Sequence, residues 1–214
     1  HPQARIGNLE GNPVHIDMTE AARIAGSDFA LNAVKNGEGE IARAFAGGVE
    51  EVFSRGVDLV GRLYKVPISR RADIVITGAG GYDIDFYQAY KPIHIALNAV
   101  REGGTVIVAA ECREGCGNDL FYDWISRYGS VEEAGCALRE GFRLGAHKAY
   151  YLLKALSKAR IVVATAMERR LTERLRVEWV PDIQAAIDGE LRAKRDAAVY
   201  IIPSGGRVLP VGAG

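Results

Sequence analysis

The stretch Ala72-Asp73-Ile74-Val75-Ile76-Thr77, running straight into Gly78-Ala79-Gly80-Gly81, limits the fold more than any other part of the chain. A short run of mostly β-branched residues followed by glycines fits a strand buried on both faces that ends in a tight loop. Parallel strands of this kind need crossover helices, and the downstream sequence supplies them in alternation. Residues 105–110, 161–165, 177–180 and 198–202 read as further strands. Helices are expected from the glycine loop to about Arg101, closed by Gly103-Gly104, then over 120–128, 131–139, 144–158 and 182–194. The expected class is α/β: a mostly parallel sheet flanked by helices on both faces, in a Rossmann-like three-layer architecture. Its site belongs at the carboxyl ends of the strands, in loops 77–81, 110–117 and 165–168. Residues 203–208 read as a turn with a short edge strand.

The first part of the chain has a different rhythm. Residues 1–16 read as an extended segment with turns at Gly7-Asn8 and Gly11-Asn12-Pro13. A short helix over 19–25, capped by Asp17 or Thr19, and a strand over 29–34 ended by Asn36-Gly37 should follow. Residues 39–65 read as a helix in two pieces, broken near Gly47-Gly48, with Val49, Val52, Phe53, Val57 and Val60 on one face. Two parts are expected: residues 1–25, belonging to an upstream domain or hinge, and a C-terminal α/β domain over 26–214. The opening His1-Pro2-Gln3-Ala4-Arg5 reads as mid-protein sequence, so the chain is expected to be a fragment.

The 27 basic and 27 acidic residues balance, so no basic field exists to attract nucleic acid or an anionic membrane. No apolar run approaches a membrane span, and no signal-peptide pattern opens the chain. Cys112, Cys116 and Cys136 cannot all pair within one chain, which points to reduced thiols and a cytoplasmic setting.

The candidate chemistry lies behind the glycine loop. Glycines there let the backbone approach a ligand, and the next helix would aim free N–H groups at an anion. Asp85 and Gln88 have capping-box spacing, which starts the helix at Phe86. Pro92 disfavours helix at Lys91 and suits the first position of a second helical piece. A bend at Lys91 would present Gln88 and Lys91 together, an amide and an ammonium that suit a carboxylate or hydroxyl. The plainer reading makes Gln88 a cap and Lys91 a solvated surface residue. The loop fits neither the dinucleotide G-x-G-x-x-G spacing nor a P-loop.

Gly80-Gly81-Tyr82, Tyr87-Gln88-Ala89 and Lys91 resemble the G-G-Y…Y-Q-A-x-K motif of the lactate racemase family. Gly11-Asn12-Pro13-Val14-His15, followed by Asp17-Met18 and Glu20-Ala21-Ala22, is similar to that family's G-N-P-x-H segment. Glu111-Cys112-Arg113-Glu114-Gly115 and Leu144-Gly145-Ala146-His147-Lys148-Ala149 fall where such proteins have similar blocks. The resemblance implies the C-terminal portion of a 2-hydroxy-acid racemase or epimerase, with residues 1–25 left from its cofactor-binding domain. It implies a nickel-pincer nucleotide, a pyridinium mononucleotide that binds nickel through two sulfurs and a carbon. In such enzymes it takes a hydride from C2 of the hydroxy acid and returns it to the other face of the keto acid. Upstream histidines that act as base and acid, a lysine that tethers the cofactor, and a phosphate-binding segment belong to the N-terminal half, which holds most of the cofactor. On this pattern Gln88 and Lys91 contact substrate, Gly80, Gly81 and Tyr82 line the cofactor, and His15 ligates nickel. The partners implied are a small 2-hydroxy acid and the upstream half of the same protein. The 214 residues alone should be inactive.

Other readings stand beside these. A neutral imidazole is a common nickel ligand, yet His15 also fits a histidine bonding backbone in a Gly-Asn-Pro turn. Cys112 and Cys116 with Glu111 and His147 admit a zinc site, although a matching second pair is absent. His147 fits a packed or interface residue. The alternative function is a non-catalytic α/β module that binds a small anion at loop 78–81 and serves regulation.

Overall fold

A computed structural model of the chain describes residues 1–212 and divides it into two compact units, His1–Lys65 and Val66–Gly214. The division falls after Lys65 rather than after residue 25, because the elements that follow the first helix share a small core of their own.

In the first unit, α1 spans Pro13–Ala25 and is capped by Asn12, whose side chain accepts the Val14 N–H at 3.0 Å. The expected extended segment is thus a helix from Pro13 onward. Pro13 at the first helical position needs no N–H partner, and Asn12 is a strong cap. Strands β1 (Ala30–Lys35) and β2 (Ile41–Gly47) form an antiparallel hairpin. Residues 41–47, expected to be helical, are strand instead. The Asn36 side chain accepts N–H groups from Glu38 and Glu40 and builds the turn. Val34 and Phe45 then pack on Val52 of α2 (Val49–Tyr64). A bidentate Arg23–Glu50 pair, at 2.6 and 2.8 Å, ties α1 to α2 across an exposed surface.

The second unit holds the parallel sheet. A short ribbon pairs β3 (Lys65–Pro67) with β9 (Leu209–Val211). The main strands are β4 (Ala72–Gly78), β5 (Val100–Ala109), β6 (Ala159–Ala164), β7 (Glu178–Val180) and β8 (Val199–Ile202). They lie in the order β7-β6-β5-β4-β8, every adjacent pair parallel. The alternating side chains sort onto two faces. Val106, Val108, Ile161 and Val163 join cores that include α3 (Phe86–Ala96) and α6 (Ala146–Lys158). Ile74, Ile76, Ile107 and Val162 meet Ile183, Ala186 and Ile187 of α8 (Ile183–Ala193) on the other. Helices α4 (Asp119–Arg127) and α5 (Val131–Glu140) pack on α6, and the short α7 (Arg169–Arg174) precedes β7. Each of the large side chains with no exposed surface, such as Phe86, Phe121 and Ile107, contributes about 1.5–3 kcal/mol by its burial.

Two local expectations change. Helix α3 ends at Ala96, and Gly103-Gly104 lie inside β5 rather than closing a helix. The register slips between Ala72 and Ile74 opposite them. A Cβ at Gly104 would sit 2.8 Å from the Asp73 carbonyl oxygen. The glycines therefore serve a bulge where two backbones approach closely. Pro92 does not divide α3, which runs as one element through it. It withholds the N–H that the Gln88 carbonyl would otherwise accept.

Candidate functional site

Strand order reverses between β4 and β8: the chain proceeds from β4 outward through β5, β6 and β7, then returns to the other side of β4 for β8. In an open α/β sheet the carboxyl-end crevice at such a point is the favoured ligand site. The Gly205 N–H donates to the Gly78 carbonyl at 3.0 Å and closes the crevice floor. A Cβ on Gly78 would lie 2.5 Å from the Pro203 carbonyl oxygen, so the two loops touch backbone to backbone. Gly80 and Gly81 take φ values of 55° and 88°, which glycine adopts at no steric cost. Nothing lies within 4 Å of a Cβ built on Gly81, so the backbone there is open. Tyr82 donates its N–H to the Ala79 carbonyl at 3.1 Å, and its ring covers Gly206.

The three loops expected at the strand tips all lie there and are stitched together. Ala79 bonds the Ala109 carbonyl, Ala110 that of Ala164, and Ala166 that of Glu111, each at 3.0 Å. The residues 204–206 after β8 complete the set. They read from sequence only as a turn, and the Gly205-Gly206 pair was the signal available.

The first turn of α3 departs from expectation. Its N–H groups do not face open space: Phe86 donates to the Gly115 carbonyl at 2.9 Å, Tyr87 to Cys116 at 3.1 Å, and Gln88 to Asp85 Oδ1 at 2.7 Å. Loop 112–117 folds back under the helix, with Cys112, Gly115 and Gly117 at φ values of 54°, 69° and 80°. The helix terminus is thereby saturated and offers no anion site.

What remains available on α3 is side chain. Asp85 caps the helix as its spacing suggests, but the Gln88 amide does not return the bond. Among the described residues it has no hydrogen-bond partner. Lys91, one turn on, is exposed and holds Nζ 4.5 Å above the Tyr82 ring centroid. No carboxylate lies within 4 Å of it among the described residues. The spacing of three puts both side chains on one face, and Pro92 beneath them packs against Gly205. Gln88 and Lys91 thus stand on the helix that follows the carboxyl end of β4, beside the loop that follows β8.

Lys148 figures in the sequence only as part of the Leu144–Ala149 block, with no role of its own. It lies in the first turn of α6, half-buried, with Nζ 3.5 Å from the Tyr87 ring centroid and bonded to the Tyr87 carbonyl. Burial, and then the neighbouring Lys91 ammonium, push its pKa down to about 8, with Asp85 partly opposing. Beside it, His147 Nδ1 accepts the Gly145 N–H at 3.3 Å and its ring stacks on Phe142 at 5.7 Å. His147 is a packed histidine.

Cys112 and Cys116 are free thiols, both raised to about 12 mainly by burial. Among the described residues no group of three or more His, Cys, Asp or Glu could hold a metal ion, which removes the zinc reading. No helix among them is long and apolar enough to cross a membrane. In the first unit His15 lies in the first turn of α1, not in a loop, and stacks on Phe53 at 5.3 Å. Among the described residues no hydrogen bond engages its ring nitrogens.

A cleft of about 980 Å³ opens at the other end of the sheet, by the amino ends of β6 and β7. Two of its three cations, Arg160 and Arg176, are engaged in the structure, and the third is Lys154. Arg160 pairs with Glu178 and Glu190, and Arg176 bonds the carbonyls of Ile125, Tyr128 and Gly129. The switch point, where Gln88 and Lys91 lack hydrogen-bond and ion-pair partners among the described residues, is the better candidate.

Comparison with known proteins gives the family. Residues 68–209 match the lactate racemase C-terminal domain family. The chain is 42% identical over 126 residues to a lactate racemase of Thermoanaerobacterium thermosaccharolyticum, covering 58% of this chain and 29% of that protein. It is 42% identical over 123 residues to a lactate racemase of Lactiplantibacillus plantarum, covering 56% and 29%. The solved lactate racemase apoprotein from T. thermosaccharolyticum superposes with a TM-score of 0.92 at 29% identity. That superposition covers 99% of this chain and 52% of that one, so this chain spans about half its length. A crystal structure of a Thermotoga maritima protein shares the fold, with a TM-score of 0.69 at 16% identity, over 94% of this chain and 54% of that one.

Proposed function

This chain belongs to the lactate racemase C-terminal domain family, and from that premise we propose that it is the substrate-contacting portion of a 2-hydroxy-acid racemase or epimerase. The observation that carries the reading is the pairing of Gln88 and Lys91 on one face of α3, neither with a hydrogen-bond or ion-pair partner among the described residues, and Lys91 laid on the Tyr82 ring. Lys91 holds the substrate carboxylate by a charge-assisted hydrogen bond. The Gln88 amide can donate to, or accept from, the C2 oxygen in both its hydroxyl and carbonyl forms. Tyr82 supports Lys91 from below and walls the crevice, restricting water.

The nickel-pincer nucleotide, when bound, would supply the acceptor for the C2 hydride. The residues present fit such a group. His15 offers an imidazole whose nitrogens no hydrogen bond engages among the described residues, and one neutral imidazole suits nickel when sulfur and carbon donors come from the cofactor. The open backbone at Gly80 and Gly81, with the Tyr82 ring, would line the cofactor on the second unit. Most of the cofactor contacts and the base and acid for the hydroxyl proton are assigned to an upstream half. The first unit supports that partner. Among its large apolar residues Val14, Ile16, Met18 and Ile24 all lie exposed on α1, Ile24 at 87%, and α1 has no buried residue. A longer polypeptide, such as the relatives possess, would cover such a surface.

In a full-length, cofactor-loaded parent, Lys91→Ala should lower kcat/KM by about 100-fold or more with circular dichroism unchanged. Unchanged turnover would refute the assignment. The 214-residue chain alone should not racemise lactate. The alternative of a module that binds an anion at loop 78–81 is disfavoured by the saturated N-terminus of α3.

A further inference from the structure

We propose that Lys148 is a second anchor for the substrate carboxylate, acting with Lys91 to hold one oxygen each; this deepens, and rests on, the reading above. Two ammonium groups stand at the same strand tips, one from α3 and one from α6, each laid on a tyrosine ring: Lys91 on Tyr82 at 4.5 Å and Lys148 on Tyr87 at 3.5 Å. They are close enough to repel one another. No carboxylate lies within 4 Å of either among the described residues. Asp85, the acid that Lys148 senses most, already accepts the Gln88 N–H and is wedged against Gly117.

Two other cations of the unit are, by contrast, ion-paired. Arg101 is paired with Asp73 at 2.7 Å, and Arg160 with Glu178 at 2.9 Å. A half-buried ammonium beside a like charge, with no carboxylate in ion-pair contact, is stabilised when an anion arrives. The groups around Lys148 are named by their elements: Asp85, Tyr87 and Lys91 on or at the start of α3, and His147 on α6. Of these only Asp85 carries negative charge, and it lies beyond ion-pair distance and already accepts the Gln88 N–H. One Lys148 N–H goes to the Tyr87 carbonyl, which leaves two donors free. A carboxylate bridging the two lysines neutralises both, and Gln88, on the same face of α3 as Lys91, meets the oxygen on the adjacent carbon. The arrangement selects a short acid with a hydroxyl or carbonyl next to its carboxylate.

The test uses the full-length, cofactor-loaded parent and calorimetry with sodium lactate and its neutral isostere lactamide. Lys148→Met, with Lys148→Gln as a second variant should the first fold poorly, should weaken lactate binding about tenfold and leave lactamide binding unchanged. Lys148→Arg should restore part of the lactate affinity. If Lys91→Met weakens lactate binding while neither Lys148 variant does, the second anchor is overturned and the reading of Lys91 stands. If lactate binds neither better nor worse in any of these folded variants, or not at all to the wild type, both fail.

Discussion

The backbone N–H of Gly205 reaches the carbonyl of Gly78 at 3.0 Å, and neither residue has room for a side chain. A Cβ on Gly205 would fall 2.1 Å from Thr77 Oγ1 and 2.7 Å from Pro92 Cβ. Proline on a packed helix and a strand residue cannot yield far. Gly205→Ala should therefore cost about 1–3 kcal/mol. Urea unfolding would show this as a lower midpoint at unchanged slope; a midpoint equal to wild type would mean the two loops separate easily.

Asp85 and Gly117 form a second tight pair. Asp85→Ala removes the cap on Gln88 and should cost about 1 kcal/mol. Gly117→Ala should cost more, because φ is 80° and the new Cβ would lie 2.2 Å from Asp85 Cγ. The double variant should lose less than the sum of the two, since shortening Asp85 removes the closest contact. Strict additivity in a denaturation series would argue that the pair is not in contact.

The thiols should separate by rate. Cys136 is exposed, whereas burial holds Cys112 and Cys116 near 12. The thiolate is the reactive form. At pH 8 a disulfide reagent should release one rapid equivalent and two slow ones, the slow pair becoming fast in denaturant. Three equal rates would contradict the buried loop.

Lys148 should make stability depend on pH. Its ordinary pKa of 10.5 falls to about 8 in the folded chain. Below pH 8 the ammonium is charged in both states and its penalty is fully present. Between about 8 and 10.5 the folded state sheds its proton first, so the unfolded state binds more protons and stability rises with pH. Thermal melts of wild type and Lys148→Met at steps from pH 7 to 10 should show the wild type gaining on the variant across that window. A constant difference would place Lys148 in solvent.

The parallel strands could be read because buried strands are continuous β-branched runs, as at 72–77 and 105–110, and local glycines mark their ends. Strand β2 could not. Its Ala-Arg-Ala-Phe-Ala sequence favours helix by propensity, and only the pairing with β1 and the burial of Phe45 over Val52 decide otherwise. The start of α1 was present in Asn12-Pro13 and was masked by its likeness to a turn. Gln88 and Lys91 were legible because three residues of helix set their relation. The saturation of α3 and the approach of Lys148 were not, because the carbonyls of Gly115 and Cys116 and the α6 ammonium arrive from distant parts of the chain.

The return of β8 to the side of β4 sets the order in which the crevice can come into being. Thr77 Oγ1 bonds the Ile202 carbonyl across 125 residues of sequence, a separation that makes this pairing slow compared with local helix formation. On the ribosome Gln88 and Lys91 of α3 emerge early, but the floor beside them does not exist until Ser204 and Gly205 have left the exit tunnel. A nascent chain stalled before that point can fold much of its sheet and still lack this floor.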